Sequence, residues 1–427
     1  MNNPFFSILI PTRQRHVSLH YAIKTVLAQD FQDFELVIMD NNGSPETKEV
    51  TNAFDDERIA YHRSNESLSM TENWELGLSK VQGQYVTVIG DDDGLLPDAL
   101  SRCFELIKQY QVPIVSWYRW PYFWPNAPQQ QNSLYVPFSS TISLINGRDL
   151  LKKVYQCEIV CEHFPTLYNS FVSANLIKDI KQKNNGNYYS VNCFCPDVFS
   201  GAVNAFFCDQ YVHSARPLSL SGISGASNFA TLTQTNSKPA QDWRQEEGRK
   251  KFHPALKLSD KVDVATTLTI VSDFLWAKDV FFPLCRDIEL NLPGMIQSAV
   301  LDQANSDPER YDYYLDVARQ MIHALNLESH HFNVPAKSPS HNVTNPPNRW
   351  LGSPNSPSGI ILNCSLLGIT DVFDAVTLCY KVMIEDIKYS VSGGQPYVKV
   401  EDVSCILKRN KKDCPALNSF DIPVVYF

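Results

Sequence analysis

The first 120 residues alternate between two hydrophobic periods, and this restricts the fold more than any other feature of the chain. "FFSILIPT" (5–12), "FELVIMD" (34–40), "RIAYHR" (58–63), "QYVTVIG" (84–90) and "PIVSWYRW" (113–120) are short apolar runs rich in β-formers. Between them lie segments of helical spacing. In residues 17–29, Leu19, Ala22, Ile23, Val26 and Leu27 recur on one face. Residues 44–54 open with Ser-Pro-Glu, 69–81 follow, and 97–110 carry Pro97 in the first turn. Such alternation predicts βαβ units, an α/β fold whose mostly parallel sheet is flanked by helices. Ligands of these sheets bind beyond the carboxyl ends of the strands. The polar motifs fall there: "PTRQR" after the first strand, "DNNGS" after the second and "GDDD" after the fourth.

Further along, the pattern changes character. Residues 121–225 are irregular, with a strand turning into a helix at 167–177 and a helix at 196–207 that opens with Pro-Asp. "SLSGISGASN" (219–228) has the composition of a mobile loop. Residues 256–330 are mainly helical by period, and 333–359 carry six prolines, which marks a linker. The remainder to Phe427 shows no motif. At 427 residues the chain exceeds one core. The expected division is 1–225 as the α/β domain, 226–332 as a mainly helical region, 333–359 as a Pro/Ser/Asn-rich linker and 360–427 as a region of unknown role.

A net charge of −9 argues against a nucleic-acid partner. No apolar run approaches the ~18 residues of a membrane helix, and the N-terminal stretch is too short for a signal-peptide core. Eleven scattered cysteines suit free thiols and a cytoplasmic location, with peripheral attachment to a membrane left open. Cys157, Cys161, His163, Cys193 and Cys195 have spacings that zinc accepts, but lack the paired CxxC knuckles, so buried thiols are the plainer reading.

Asp91, Asp92 and Asp93 end a buried strand, and three adjacent carboxylates repel one another. Hard oxygen ligands at such a place suit Mn²⁺ or Mg²⁺, which take one or two carboxylates and complete their shell with water and phosphates. A solvated turn capping the next helix is the plain alternative. Asp40 also ends a strand, and Thr12, Arg13 and Arg15 share the first loop, so these groups converge on one sheet edge.

"SILIPTRQR", "AIKTVLAQDFQDFELVIMDNNGS" and "NWELGLSKVQGQYVTVIGDDDGLLPDAL" together resemble the family 2 glycosyltransferases of GT-A fold, over residues 5–110 closely and 111–225 loosely. The resemblance implies a Rossmann-like domain and inverting transfer from a nucleotide-sugar donor to a hydroxyl acceptor such as a saccharide, as in polysaccharide or glycoconjugate synthesis. It places Thr12, Arg13, Arg15, Asp40 and Asp91 at the nucleotide, a pyrimidine fitting Asp40 best and UDP being left open against dTDP and GDP. Asp92, five residues before Pro97, becomes the ligand of Mn²⁺ or Mg²⁺ with Asp91 beside it, and Asp93 a solvated neighbour or helix cap. Arg13 stands where the family often has an aromatic residue. The acceptor's base, a carboxylate at a helix start about a hundred residues on, falls on Asp197, with Asp209 and Glu162 as rivals. The 219–228 segment is either a lid over the donor or a linker.

"PPNRW" (346–350) lacks the glutamine of processive members, which implies a non-processive enzyme. The C-terminal part is left to bind acceptor or to join copies of the chain. Two other readings stay in view. A sugar nucleotidyltransferase would open with a glycine-rich loop, and "PTRQRH" contains no glycine. A catalytically inactive nucleotide-binding module with a structural or interaction role is the main alternative.

Overall fold

A computed structural model of the chain describes residues 3–128, 130–227, 241, 245–258, 268–302, 308–327, 349–353, 356–384, 390–392 and 395–397. The expected alternation is present. It runs β1 (Phe6–Thr12), α1 (His16–Leu27), β2 (Phe34–Asp40), α2 (Pro45–Asn52), β3 (Ile59–Arg63), α3 (Met70–Leu78) and β4 (Tyr85–Val88). A two-residue β5 (Gly94–Leu95), α4 (Ala99–Tyr110) and β6 (Ile114–Trp117) follow. Next come β7 (Trp120–Phe123), β8 (Ser133–Pro137), β9 (Ile142–Asn146), α5 (Gly147–Tyr155), β10 (Ser170–Ser173), α6 (Ala174–Lys183) and α7 (Pro196–Phe207).

Eight strands form the main sheet in the order β3-β2-β1-β4-β10-β6-β11-β9, with β11 at Gln210–Ser214. The pairs from β3 to β4 and β6 with β11 are parallel, whereas β10 and β9 run against their neighbours. The sheet is therefore mixed, with most strands sharing one direction. Strands buried on both faces explain the unbroken apolar runs. Ile8, Ile10, Leu36 and Ile38 face one core with Leu19, Ile23 and Val26 of α1 and Leu100 and Ile107 of α4. Leu9, Val37 and Met39 face the other, with Trp74 of α3, Phe199 and Val203 of α7, and Phe274. Phe274 lies on α8 (Leu268–Phe281), which packs on α7 and is followed by α9 (Leu292–Asp302) and α10 (Pro308–Ala324). The expected helical region is thus helical where described.

The stretch expected to be irregular builds a second sheet instead. Its six strands run β13-β14-β8-β7-β12-β5, with β12 at Ser219–Ile223, β13 at Arg349–Ser353 and β14 at Ser356–Asn363. Three expectations change as a result. The run at 113–120 splits, β6 staying in the main sheet and Trp120 opening β7 in the second. The first half of the expected mobile loop is strand β12, tied to β5 and β7; Asn228 lies outside the described residues. The end of the expected linker is a hairpin that pairs β14 with β8, and its earlier part lies outside the described residues.

Residues 360–427, expected to carry no readable role, supply α11 (Val372–Ile384) where described. Val372, Val376 and Cys379 of that helix pack with Leu96, Tyr122, Trp124 and Leu220 as a third core. α11 also touches α1. Among the described residues no helix is long and apolar enough to cross a membrane.

Candidate active site

The site grows from the carboxyl ends of β1, β2 and β4. Parallel register sets Thr12 of β1 opposite Asp40 of β2, and Asn41 N donates to Thr12 O at 2.9 Å. Beyond β4 the chain turns rather than extending, so the three aspartates sit in a tight bend between β4 and β5. All three are nearly inaccessible, at 3%, 4% and 2% exposure for Asp91, Asp92 and Asp93, which excludes a solvated acidic turn.

Their carboxylates diverge. Asp91 Oδ2 accepts from Thr12 Oγ1 at 2.7 Å, and its Oδ1 lies 3.2 Å from Arg15 Nη1. Arg15 also donates to Ala226 O. Asp92 Oδ2 accepts from two hydroxyls, Ser224 Oγ at 2.7 Å and Ser227 Oγ at 2.6 Å. Asp93 Oδ1 accepts from Gly222 N at 2.8 Å and its Oδ2 from Gly90 N at 2.7 Å. Asp93 is thus neither solvated nor a helix cap; bonded to Gly90 across the turn and to Gly222 of β12, it is an internal brace. The N-cap position of α4 belongs to Asp98, which pairs with Arg216 at 2.7 Å.

Burial raises the pKa of Asp91, partly offset by Arg15, and the nearby Asp92 raises it further. Burial, reinforced by Asp92, pushes Asp93 up to about 7. The cluster therefore holds negative charge against an unfavourable environment, and a cation beside it would relieve that cost. Hard oxygen donors fit Mn²⁺ or Mg²⁺ chemically. Among the described residues no group of three or more His, Cys, Asp or Glu is arranged to hold a metal, so an ion here would rest on one or two carboxylates and its substrate. Of Cys157, Cys161, Cys193 and Cys195, read as buried thiols, only Cys193 is buried, and Cys157 is exposed. Burial raises the Cys193 thiol.

Asp40 is fully buried and held from two sides. Its Oδ1 accepts from Gly43 N at 2.8 Å, its Oδ2 from Tyr61 OH at 2.6 Å, and Arg63 Nε lies 3.9 Å away. Arg13 turns away from the aspartates. It pairs with Glu246 and lines a polar cavity of about 290 Å³ with Gln14, Ser67, Ser69, Gln245 and Arg249.

Asp197 lies in the first turn of α7 and is half-buried. Ser200 Oγ donates to its carbonyl at 2.6 Å and accepts from Leu167 N at 3.0 Å. The next residue, Tyr168, hydrogen-bonds Asp93 and carries the Arg119 guanidinium 4.0 Å above its ring. The start of α7 is thereby joined to the aspartate bend through one short segment. Asp209 sits at the opposite end of α7, before β11, on the edge of the sheet away from the bend. Glu162 is exposed on a one-turn helix, and its neighbour His163 bonds Tyr118 OH at 2.7 Å, a structural contact.

Thr12, Arg15 and Asp91 are therefore brought together directly, with Asp92 adjoining and Asp40 in register beside them. Arg13 is diverted, and Asp197 joins through Tyr168. Sequence reasoning missed Tyr61, Tyr168, Ser224 and Ser227. The serines lay within a segment whose composition signalled only flexibility, and the tyrosines carried no spacing signal.

Residues 7–173 match the model of Glycosyl transferase family 2. A stretch of 101 residues is 41% identical to the GalNAc(5)-diNAcBac-PP-undecaprenol beta-1,3-glucosyltransferase of Campylobacter jejuni, covering 23% of this chain and 33% of that protein. The putative colanic acid biosynthesis glycosyl transferase WcaA of Escherichia coli is 33% identical over 102 residues, 23% of this chain and 37% of its own. The chain thus spans little more than a third of the length of these relatives. Among solved structures, S. aureus TarS 1–349 in complex with UDP-GlcNAc superposes with a TM-score of 0.42 at 12% identity, covering 92% of this chain and 96% of that one.

Proposed function

From the glycosyl transferase family 2 segment at residues 7–173, we propose that the chain is an inverting, metal-dependent glycosyltransferase with a UDP-sugar donor and a hydroxyl acceptor. The observation that supports this best is the Thr12–Asp91–Arg15 network at the carboxyl edge of the parallel strands, with Asp40 in register beside it. In this reading Thr12, Arg15 and Asp91 hold the ribose and diphosphate side of the nucleotide. Asp40, already oriented by Gly43 and Tyr61, accepts from the pyrimidine N–H. Arg13 contributes from the neighbouring cavity.

Asp92, with Asp91 beside it, would hold Mn²⁺ or Mg²⁺, which supplies charge neutralisation for the departing diphosphate. Asp197 takes the proton from the acceptor hydroxyl as that oxygen attacks the anomeric carbon. A saccharide acceptor follows the names of the relatives, one of which acts on a lipid-diphosphate-linked oligosaccharide. Such an acceptor would place the enzyme peripherally at a membrane surface.

The test is release of UDP from UDP-glucose, UDP-GlcNAc and UDP-galactose with Mn²⁺, comparing the native chain with Asp92→Ala and Asp197→Ala. Turnover lowered about a hundredfold or more in each variant is expected. No turnover and no metal-dependent UDP binding by the native chain sinks the proposal. Binding without turnover over a broad panel of donors and acceptors favours an inactive nucleotide-binding module.

A further inference from the structure

α7 begins without a cap of its own. Cys195 stands at the N-cap position with no side-chain capping bond, and Pro196 beside it has no N–H to offer. The amides leading into the helix are taken by a carboxylate from α8. Asp273, fully buried, accepts from Phe194 N at 2.9 Å through Oδ1 and from Cys195 N at 2.6 Å through Oδ2. From the same helix Thr269 Oγ1 lies 3.6 Å from Cys195 Sγ.

The opposite side of this segment is held as well. Thr71 Oγ1 of α3 donates to Cys193 O at 2.8 Å, and Lys250 donates to the same carbonyl. Lys250 Nζ also reaches Thr71 Oγ1 at 3.0 Å and Glu247 at 2.5 Å, and Glu247 accepts from Met70 N at 3.1 Å. Residues 193–195 are therefore gripped by α8 on one side and the start of α3 on the other. Asp197 follows two residues later.

We propose that Asp273 is a positioning residue for the transfer reaction, fixing the backbone at the entry of α7 and through it the place of the Asp197 carboxylate. The inference rests on the reading of Asp197 as the base. The two N–H donors meet separate oxygens, which a carboxylate supplies and an amide, with a single oxygen, does not. In Asp273→Asn one amide N–H is set against a Nδ2 hydrogen of the same polarity, so that end of the segment is released while the side-chain volume stays constant. A base displaced by a fraction of an ångström loses rate without losing donor affinity. α8 thereby acquires a part in the reaction.

The experiment combines kinetics with amide hydrogen exchange on the full-length chain, using UDP-GlcNAc and Mn²⁺ as probe. Asp273→Asn is expected to speed exchange over residues 193–199 and to lower kcat about tenfold, leaving KM for UDP-GlcNAc and the affinity for UDP unchanged. Thr71→Val, which frees the same segment from the other side, should move both readouts in the same direction by less. Unchanged exchange in Asp273→Asn overturns the clamp whatever the activity. Faster exchange with unchanged kcat overturns the positioning role, and so does a joint loss of kcat and UDP binding, the mark of general damage. Asp197→Asn is run in parallel. Full activity in that variant overturns the base reading and the positioning role with it, while the exchange result still reports on the clamp alone.

Discussion

Asp92 differs from its neighbours in what it touches. Asp91 is held by Thr12 and the Arg15 guanidinium and Asp93 by backbone amides and Tyr168, whereas among the described residues Asp92 Oδ2 meets the hydroxyls of Ser224 and Ser227. Hydroxyls rotate and can give way to a cation at little cost, so this oxygen is the most readily reassigned of the cluster. A second residue-scale consequence concerns His213, which is buried with its Nε2 unpartnered among the described residues. Burial, with His163 adding to it, pushes its pKa down to about 4. The unfolded chain, titrating near ~6.5, then takes up this proton first as the pH falls. His213 should therefore cost stability progressively from roughly pH 6.5 down to pH 4, by up to about 3 kcal/mol. Urea denaturation at pH 7 and pH 5 tests this against His213→Asn, in which the fall should be smaller; equal falls would remove the assignment. It was the family resemblance, with Asp92 five residues before Pro97, that singled out Asp92 as the proposed metal ligand. The burial of Asp93 was not legible, because its partners Gly222 and Tyr168 lie far away in the chain.

At the scale of elements, β5 and β12 decide how firmly the aspartate bend is held. β12 passes so close to it that a Cβ placed on Gly222 would stand 1.7 Å from Asp92 O, the carbonyl that also accepts from Trp124 Nε1 at 3.0 Å. No side chain can relieve that contact, since the obstacle is backbone. Gly222→Ala should cost roughly 1–3 kcal/mol and weaken Mn²⁺-dependent UDP binding together with thermal stability. An unchanged melting temperature would show that the strand yields freely. The helices and long strands of the first 110 residues were readable because each carries its own period. β5, β7 and β12 were not: two to five residues cannot display a period, and their pairing is set by partners remote in sequence.

For the whole molecule, residues 356–384 are part of the fold that surrounds the site rather than an appendage. α11 closes the third core, with Leu378 fully buried and Val372 and Val376 against the position of Gly94 in β5. Leu378→Ala should destabilise the chain by about 2–5 kcal/mol. It should also raise the UDP concentration needed for half-saturation, read by titration with Mn²⁺, because the core it loosens backs the aspartate bend. Native affinity in a chain so destabilised would separate this core from the site. The composition of residues 333–359 suggested a tether. Proline and serine content reports only what a segment does on its own, and the hairpin there exists by pairing with β8.

The position of β14 also has a consequence for synthesis. The aspartates and β12 are made before β14, and the second sheet gains its outer strands only when β14 pairs with β8 across a long stretch of chain. Contacts so distant in sequence form late and slowly. A chain that stops short of β14 therefore carries the acidic bend and its partners on β12, but in a sheet that still lacks the strands beyond β8.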